Sequence, residues 1–278
     1  MTKTSRWCAY LMLLAAACAS AETLRLMTFN VRYPASGDGP NRWELRRDLF
    51  VETIRAKDPD LLGTQELFQL QGDYIVEKLP EYKWFGISRR GNHEDEHMGV
   101  FYMESRLRLV ESGNFWLSET PDTPASMSWN VDLPRMVTWG LFEVKATGRR
   151  FYFYNTHFPH RGQDAEARLR CARLIRERIG KLPKDVPFIL SGDFNSPAGN
   201  DAYQVFSDEL KDAWTTTQHR FGPEGTMSQF RGATGTARID WILYRGFGQV
   251  LQIETVTMNE GARYPSDHYP VFAILEFK

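Results

Sequence analysis

Six short stretches of this 278-residue chain place polar side chains where a hydrophobic run stops. They are Met27-Thr28-Phe29-Asn30, Leu62-Gly63-Thr64-Gln65-Glu66, Tyr154-Asn155-Thr156-His157, Leu190-Ser191-Gly192-Asp193-Phe194-Asn195, Arg238-Ile239-Asp240-Trp241-Ile242 and Ser266-Asp267-His268-Tyr269-Pro270-Val271. The ends of strands in one sheet converge, so these side chains are placed to share a pocket. Together they offer carboxylates (Glu66, Asp193, Asp240, Asp267), amides (Asn30, Asn195) and imidazoles (His157, His268). Carboxylate and amide oxygens suit a hard divalent cation, Mg2+ or Mn2+, with water in the remaining positions. A phosphate ester under attack by water needs the charge on its oxygens neutralised, which a cation and an imidazolium do together. The chain has no cysteine cluster, which argues against a cysteine-ligated zinc site.

Taken singly, each fragment has a plainer explanation. Asp193 and Asn195 read as turn residues after a strand, and His157 as a hydrogen-bonded structural histidine. The order of the whole set, from Leu24 to Phe277, resembles the endonuclease/exonuclease/phosphatase superfamily, with Gly192-Asp193-Phe194-Asn195 and Ser266-Asp267-His268 as its most specific parts. The resemblance implies an α/β four-layer αββα sandwich, two face-packed mixed β-sheets flanked by helices, with a metal-dependent site at one edge. Carried over by position, it implies Glu66, Asn30 and Asp267 as Mg2+ ligands, the last directly or through water. Asp193 would orient or deprotonate the attacking water, and Asn195 would hold that water or a phosphate oxygen. His268 matches the essential histidine with Asp240 fixing its tautomer, and His157 would contact the scissile phosphate. Asp193 and His268 both stand as the group that activates water.

Softer assignments follow. Arg135, after a Pro-rich loop, reads either as a substrate-phosphate ligand or as a surface ion pair. His160 reads as a second phosphate contact or a loop histidine. His93 and His97 read as solvated, and Trp116, Trp129 and Trp139 as core residues rather than a stacking surface. The implied activity is an exported Mg2+-dependent phosphoesterase using direct attack of water, with nucleic acid first among substrates. The alternative is a phosphodiesterase or phosphatase acting on a lipid headgroup or small phosphorylated molecule. A binding module that had lost activity would lack Glu66, Asp193 or His268, and all three are present.

Certain elements must position these residues. Strands are expected at Leu24 to Asn30, Leu61 to Gln65, Trp84 to Ile87, Val100 to Met103, Leu107 to Val110, Val137 to Val144, Phe151 to Thr156, Val186 to Leu190, Ile239 to Tyr244, Val250 to Val256 and Val271 to Phe277. Thr147-Gly148 reads as a hairpin turn. Helices are expected from a capping box at Asn41-Arg42-Trp43-Glu44 to Lys57, at Leu67 to Leu79, at Gln163 to Ile179 with an Arg-rich solvated face, and near Asp201 to Leu210. Two long loops, Ser88 to His97 and Glu119 to Arg135, are of the kind that carries function.

Composition sets the frame. With 42% hydrophobic and 25% charged residues the chain is globular, not disordered. Lys3 and Arg6, the apolar run Trp7 to Ala17 and Ala19-Ser20-Ala21 read as a signal peptide over residues 1–21, leaving one domain over residues 22–278. The product is expected to be secreted or periplasmic, with a lipoprotein through Cys18 the lesser alternative, no stable membrane insertion and no protein partner implied. Loss of Lys3 and Arg6 leaves 32 basic against 35 acidic residues, a net charge of −3, which is no basic nucleic-acid footprint. The mature chain keeps Cys171 alone, expected as a small buried apolar residue.

Overall fold

The computed structural model describes residues 22–278; the signal-like segment, with Cys8 and Cys18, lies outside the described residues. In chain order the elements are β1 (Thr23–Asn30), α1 (Trp43–Lys57), β2 (Leu61–Gln65), α2 (Gln69–Lys78), β3 (Tyr82–Phe85), β4 (Val100–Met103), β5 (Leu107–Trp116), β6 (Met136–Val144) and β7 (Arg150–His157). There follow α3 (Ala165–Gly180), β8 (Phe188–Asp193), α4 (Asp201–Gln204), β9 (Lys211–Asp212), α5 (Ala213–Thr216), β10 (Arg220–Phe221), β11 (Asp240–Arg245), β12 (Phe247–Thr255) and β13 (Val271–Phe277). Seven strands form one sheet in the order β10-β12-β13-β1-β2-β4-β3, and six form the other, β5-β6-β7-β8-β11-β9.

The sheets pack face to face over Leu26, Leu61, Phe142, Phe153, Ile189, Ile242, Ala273 and Leu275. The outer face of the first sheet carries α1 and α2 through Phe29, Phe50, Ile54, Ile75 and Phe101. The outer face of the second carries α3 through Cys171, Ala172 and Ile175 against Phe188, Leu190 and Trp241. This is the expected four-layer sandwich. Strands covered on both faces read as continuous apolar runs, which is why β2 and β8 lack alternation. Cys171 is fully buried, and burial pushes its thiol up, so it is an inert apolar side chain. No helix among the described residues is long and apolar enough to cross a membrane.

Several local expectations need correction. The capping box at Asn41 does not form: Arg42 caps α1 without a side-chain bond, because Asn41 closes a 3-10 turn and lends its carbonyl to Arg46 Nε at 2.8 Å. The second helix starts at Gln69, since the Leu67 backbone is taken by a bridge to His97, with His97 N to Leu67 O at 2.7 Å. β5 runs on to Trp116; as an edge strand it leaves Glu111 and Ser112 exposed. α4 stops at Gln204, after which Phe206 turns inward.

Candidate active site

Strand polarity gathers the polar ends on one edge. β1 and β2 run parallel with Asn30 opposite Gln65, so Asn30 and Glu66 emerge together. β7 and β8 run parallel with His157 opposite Asp193. β11 is antiparallel to β8 and starts with Asp240 opposite Asp193, while the segment entering β13, antiparallel to β1, brings Ser266, Asp267 and His268 to the same edge. Buried amides lock the sheets to each other there: Gln65 Nε2 donates to Asn155 Oδ1 at 2.7 Å, and Asn155 Nδ2 to Thr64 O at 2.7 Å.

Asp193 Oδ2 is the meeting point. Asn30 Nδ2 donates to it at 3.0 Å and also to Glu66 Oε1 at 3.0 Å. His157 Nε2 lies 3.4 Å away and His268 Nε2 3.7 Å. The other oxygen, Asp193 Oδ1, accepts from Asn195 N at 2.9 Å, and Asn195 Nδ2 donates to Phe158 O at 3.1 Å. Behind His268, Asp240 Oδ2 accepts from Nδ1 at 3.0 Å. Glu66 and Asn195 both hold left-handed backbone (φ 59 and 47), the kind of strain that persists at working sites. Asp267 stands further out, 4.0 Å from Arg32 Nε.

Electrostatics separate the two histidines. Burial opposes charge on His268, but Asp240 and then Asp193 outweigh it and hold its imidazole protonated well above its ordinary range. Burial and the Arg135 guanidinium push His157 well below its ordinary range, so it is neutral. Burial pushes Asp193 up to about 7, and burial likewise raises Asp267. Oxygen-rich donors with carboxylates held above their ordinary range by burial are what a divalent cation relieves, and Glu66, His157 and Asp193 already offer atoms within 4.8 Å of one another. The residues present fit such an ion.

A cleft of about 460 Å³ opens over this cluster, lined also by Arg32, Tyr33, Phe68, Arg89, Glu96, Leu133, Arg135 and His160. Arg135 is not a surface ion pair: it is buried, has no carboxylate within 4.0 Å among the described residues, and donates through Nη2 to His160 Nδ1 at 3.2 Å. Its Nε and Nη1 are buried without partners. His97 is not solvated either: it is fully buried, with Nδ1 on Leu67 O at 3.0 Å and Nε2 on His93 Nδ1 at 3.2 Å, while His93 stays exposed. Trp116 is buried outside the cleft, and Trp129 and Trp139 pack against the second sheet's outer core. Arg89 and Glu96 escaped the sequence reading; the one signal was that their loop is long.

A carboxylate, amide and imidazole cluster at the edge of a four-layer αββα sandwich defines a phosphoester hydrolase. The model described as the Endonuclease/Exonuclease/phosphatase family matches residues 27–268, and the chain belongs to that family, whose members depend on a divalent metal. The chain is 34% identical to the mannosyl-6-phosphatase Bt3783 of Bacteroides thetaiotaomicron, covering 91% of this chain and 100% of that one with a TM-score of 0.85. It is 23% identical to Nocturnin of Rattus norvegicus over 89% of this chain and 63% of the relative. It is 22% identical to the CCR4-Not complex 3'-5'-exoribonuclease subunit Ccr4 of Emericella nidulans over 69% of this chain and 38% of the relative. The chain spans roughly three fifths of the length of the first curated relatives it matches.

Proposed function

We propose that the chain is a Mg2+-dependent phosphomonoesterase that hydrolyses a small phosphorylated molecule by direct attack of water. The observation that carries this reading is Arg135, a buried guanidinium with two unpartnered nitrogens on the wall of the cleft. An unpaired buried charge is costly, and burial lowers the pKa of Arg135 accordingly. A dianionic phosphomonoester in the cleft supplies the negative charge that compensates it. The likeness to a mannosyl-6-phosphatase supports the same class of bond.

Asn30, Glu66 and Asp267 would hold the Mg2+, which when bound neutralises charge on the phosphoryl oxygens. Asp193 orients the attacking water and takes its proton, with Asn195 holding that water or a phosphoryl oxygen. Protonated His268 donates to the phosphoryl group, Asp240 keeps it protonated, and neutral His157 contacts the phosphate. Export through residues 1–21 belongs to the same proposal and is supported by the residue pattern there.

Phosphate release from phenyl phosphate, with cleavage of bis(p-nitrophenyl) phosphate and single-stranded RNA alongside, tests the reading in Mg2+ and in EDTA. Metal-dependent release from the monoester that outpaces both diesters is the expected result. RNA shortening that outpaces it overturns the reading in favour of a nuclease, which the similarity to the exoribonuclease subunit supports.

A further inference from the structure

We propose that the side of the cleft built by the Ser88–His97 loop is a recognition subsite for the hydroxyl groups of the leaving alcohol, with Glu96 as its specificity-determining residue. The substrate class is then the phosphate ester of a sugar or other polyol. This deepens the phosphomonoesterase reading and rests on it.

Glu96 is buried to 7% exposure yet lines the cleft. One oxygen, Oε2, accepts from Arg89 Nη1 at 2.8 Å, and the other takes no hydrogen bond from the described residues. Arg89 is itself neutralised from behind, with Nη2 3.0 Å and Nε 3.1 Å from Asp95 Oδ1. The pair is held rigidly. Arg89 N donates to Glu96 O at 2.8 Å, Trp116 Nε1 to Arg89 O at 2.7 Å, and His97 is bridged to Leu67, one residue beyond Glu66.

A buried carboxylate with a free oxygen, beside guanidinium groups, is acceptor and donor together, which is what neighbouring hydroxyl groups require. The same carboxylate repels a second phosphate, so a polynucleotide backbone is disfavoured at this position. Arg135 would take the phosphate itself. At the rim, Tyr33 and Phe68, with ring centroids 6.5 Å apart, offer an apolar face for the C–H side of a sugar ring.

The test compares kcat/KM for glucose 6-phosphate and mannose 6-phosphate with that for phenyl phosphate, in Mg2+, for the wild type and Glu96→Gln. Glutamine keeps the size while turning the free acceptor into a donor. The preference for the better hexose phosphate over phenyl phosphate is expected to fall about tenfold or more. Any unfolded fraction lowers both activities and cancels in that ratio. A ratio unchanged by the substitution, or a wild type that cleaves phenyl phosphate without preferring a hexose phosphate, overturns the subsite. A folded wild type that releases phosphate from none of the three esters overturns the phosphomonoesterase reading beneath it.

Discussion

Asp193 Oδ2 has Asn30, His157 and His268 around it within 3.7 Å, and the two histidines do different work because their surroundings differ. His268 has Asp240 as well as Asp193 beside it and stays charged, whereas burial and then Arg135 keep His157 neutral although it too lies against Asp193. Paired groups with titrations pushed apart mark acid and base roles. The protonated His268 is the working form, so activity should fall as pH rises through its raised pKa. Asp240→Asn keeps a hydrogen-bonding group at 3.0 Å but removes the charge that sustains protonation. The alkaline limb of kcat/KM is therefore expected to move to lower pH in Asp240→Asn, read from a pH profile in saturating Mg2+. A limb that stays in place would assign it to another group.

At the scale of elements, the spacing between β7 and β8 sets the distance between His157 and Asp193. Gly192 has φ 153, and a Cβ there would meet Thr156 O at 2.1 Å. Gly192→Ala must push the two strands apart, and a cost of about 2 kcal/mol or more is expected in urea unfolding, with activity falling as well. On the other side of the site, the fully buried Arg46 donates to Val31 O at 2.7 Å and Pro265 O at 2.8 Å, stapling the loop after Asn30 to the loop before Asp267. The six polar stops at strand ends were legible because a hydrophobic run that ends in carboxylates and amides is visible locally. The Glu96 and Arg89 subsite was not, since a loop rich in His, Glu and Asp reads as solvated. Its burial comes from Leu67, Trp116 and the bridge at His97, contacts distant in sequence. Arg135 was left between a phosphate ligand and a surface ion pair for the same reason: nothing near it in the chain records that no carboxylate stands opposite. The capping box failed where Gly39-Pro40 committed Asn41 to a 3-10 turn.

For the molecule as a whole, the metal-free site works against the fold. Asp193 is raised to about 7 and His268 well above its ordinary range, so both bind protons more tightly folded than unfolded. The sign is the same for each. The stability they contribute is fully present below their unfolded pKa values and is lost as pH rises, from about 4 through 7 for Asp193 and above about 6.5 for His268. His157 and His97, held below their ordinary range by burial, act in the opposite sense below about 6.5, so in EDTA melting temperature should decline over the upper half of the range from pH 5 to pH 8. A divalent cation needs the carboxylates ionised, so its binding strengthens over the same interval. It binds the folded chain, and at about a hundred times its Kd it adds about 2.7 kcal/mol. The melting temperature in Mg2+ minus that in EDTA is accordingly expected to widen from pH 5 to pH 8, and to collapse in Glu66→Gln. A difference independent of pH, or retained in Glu66→Gln, would place the ion away from Asn30, Glu66 and Asp267.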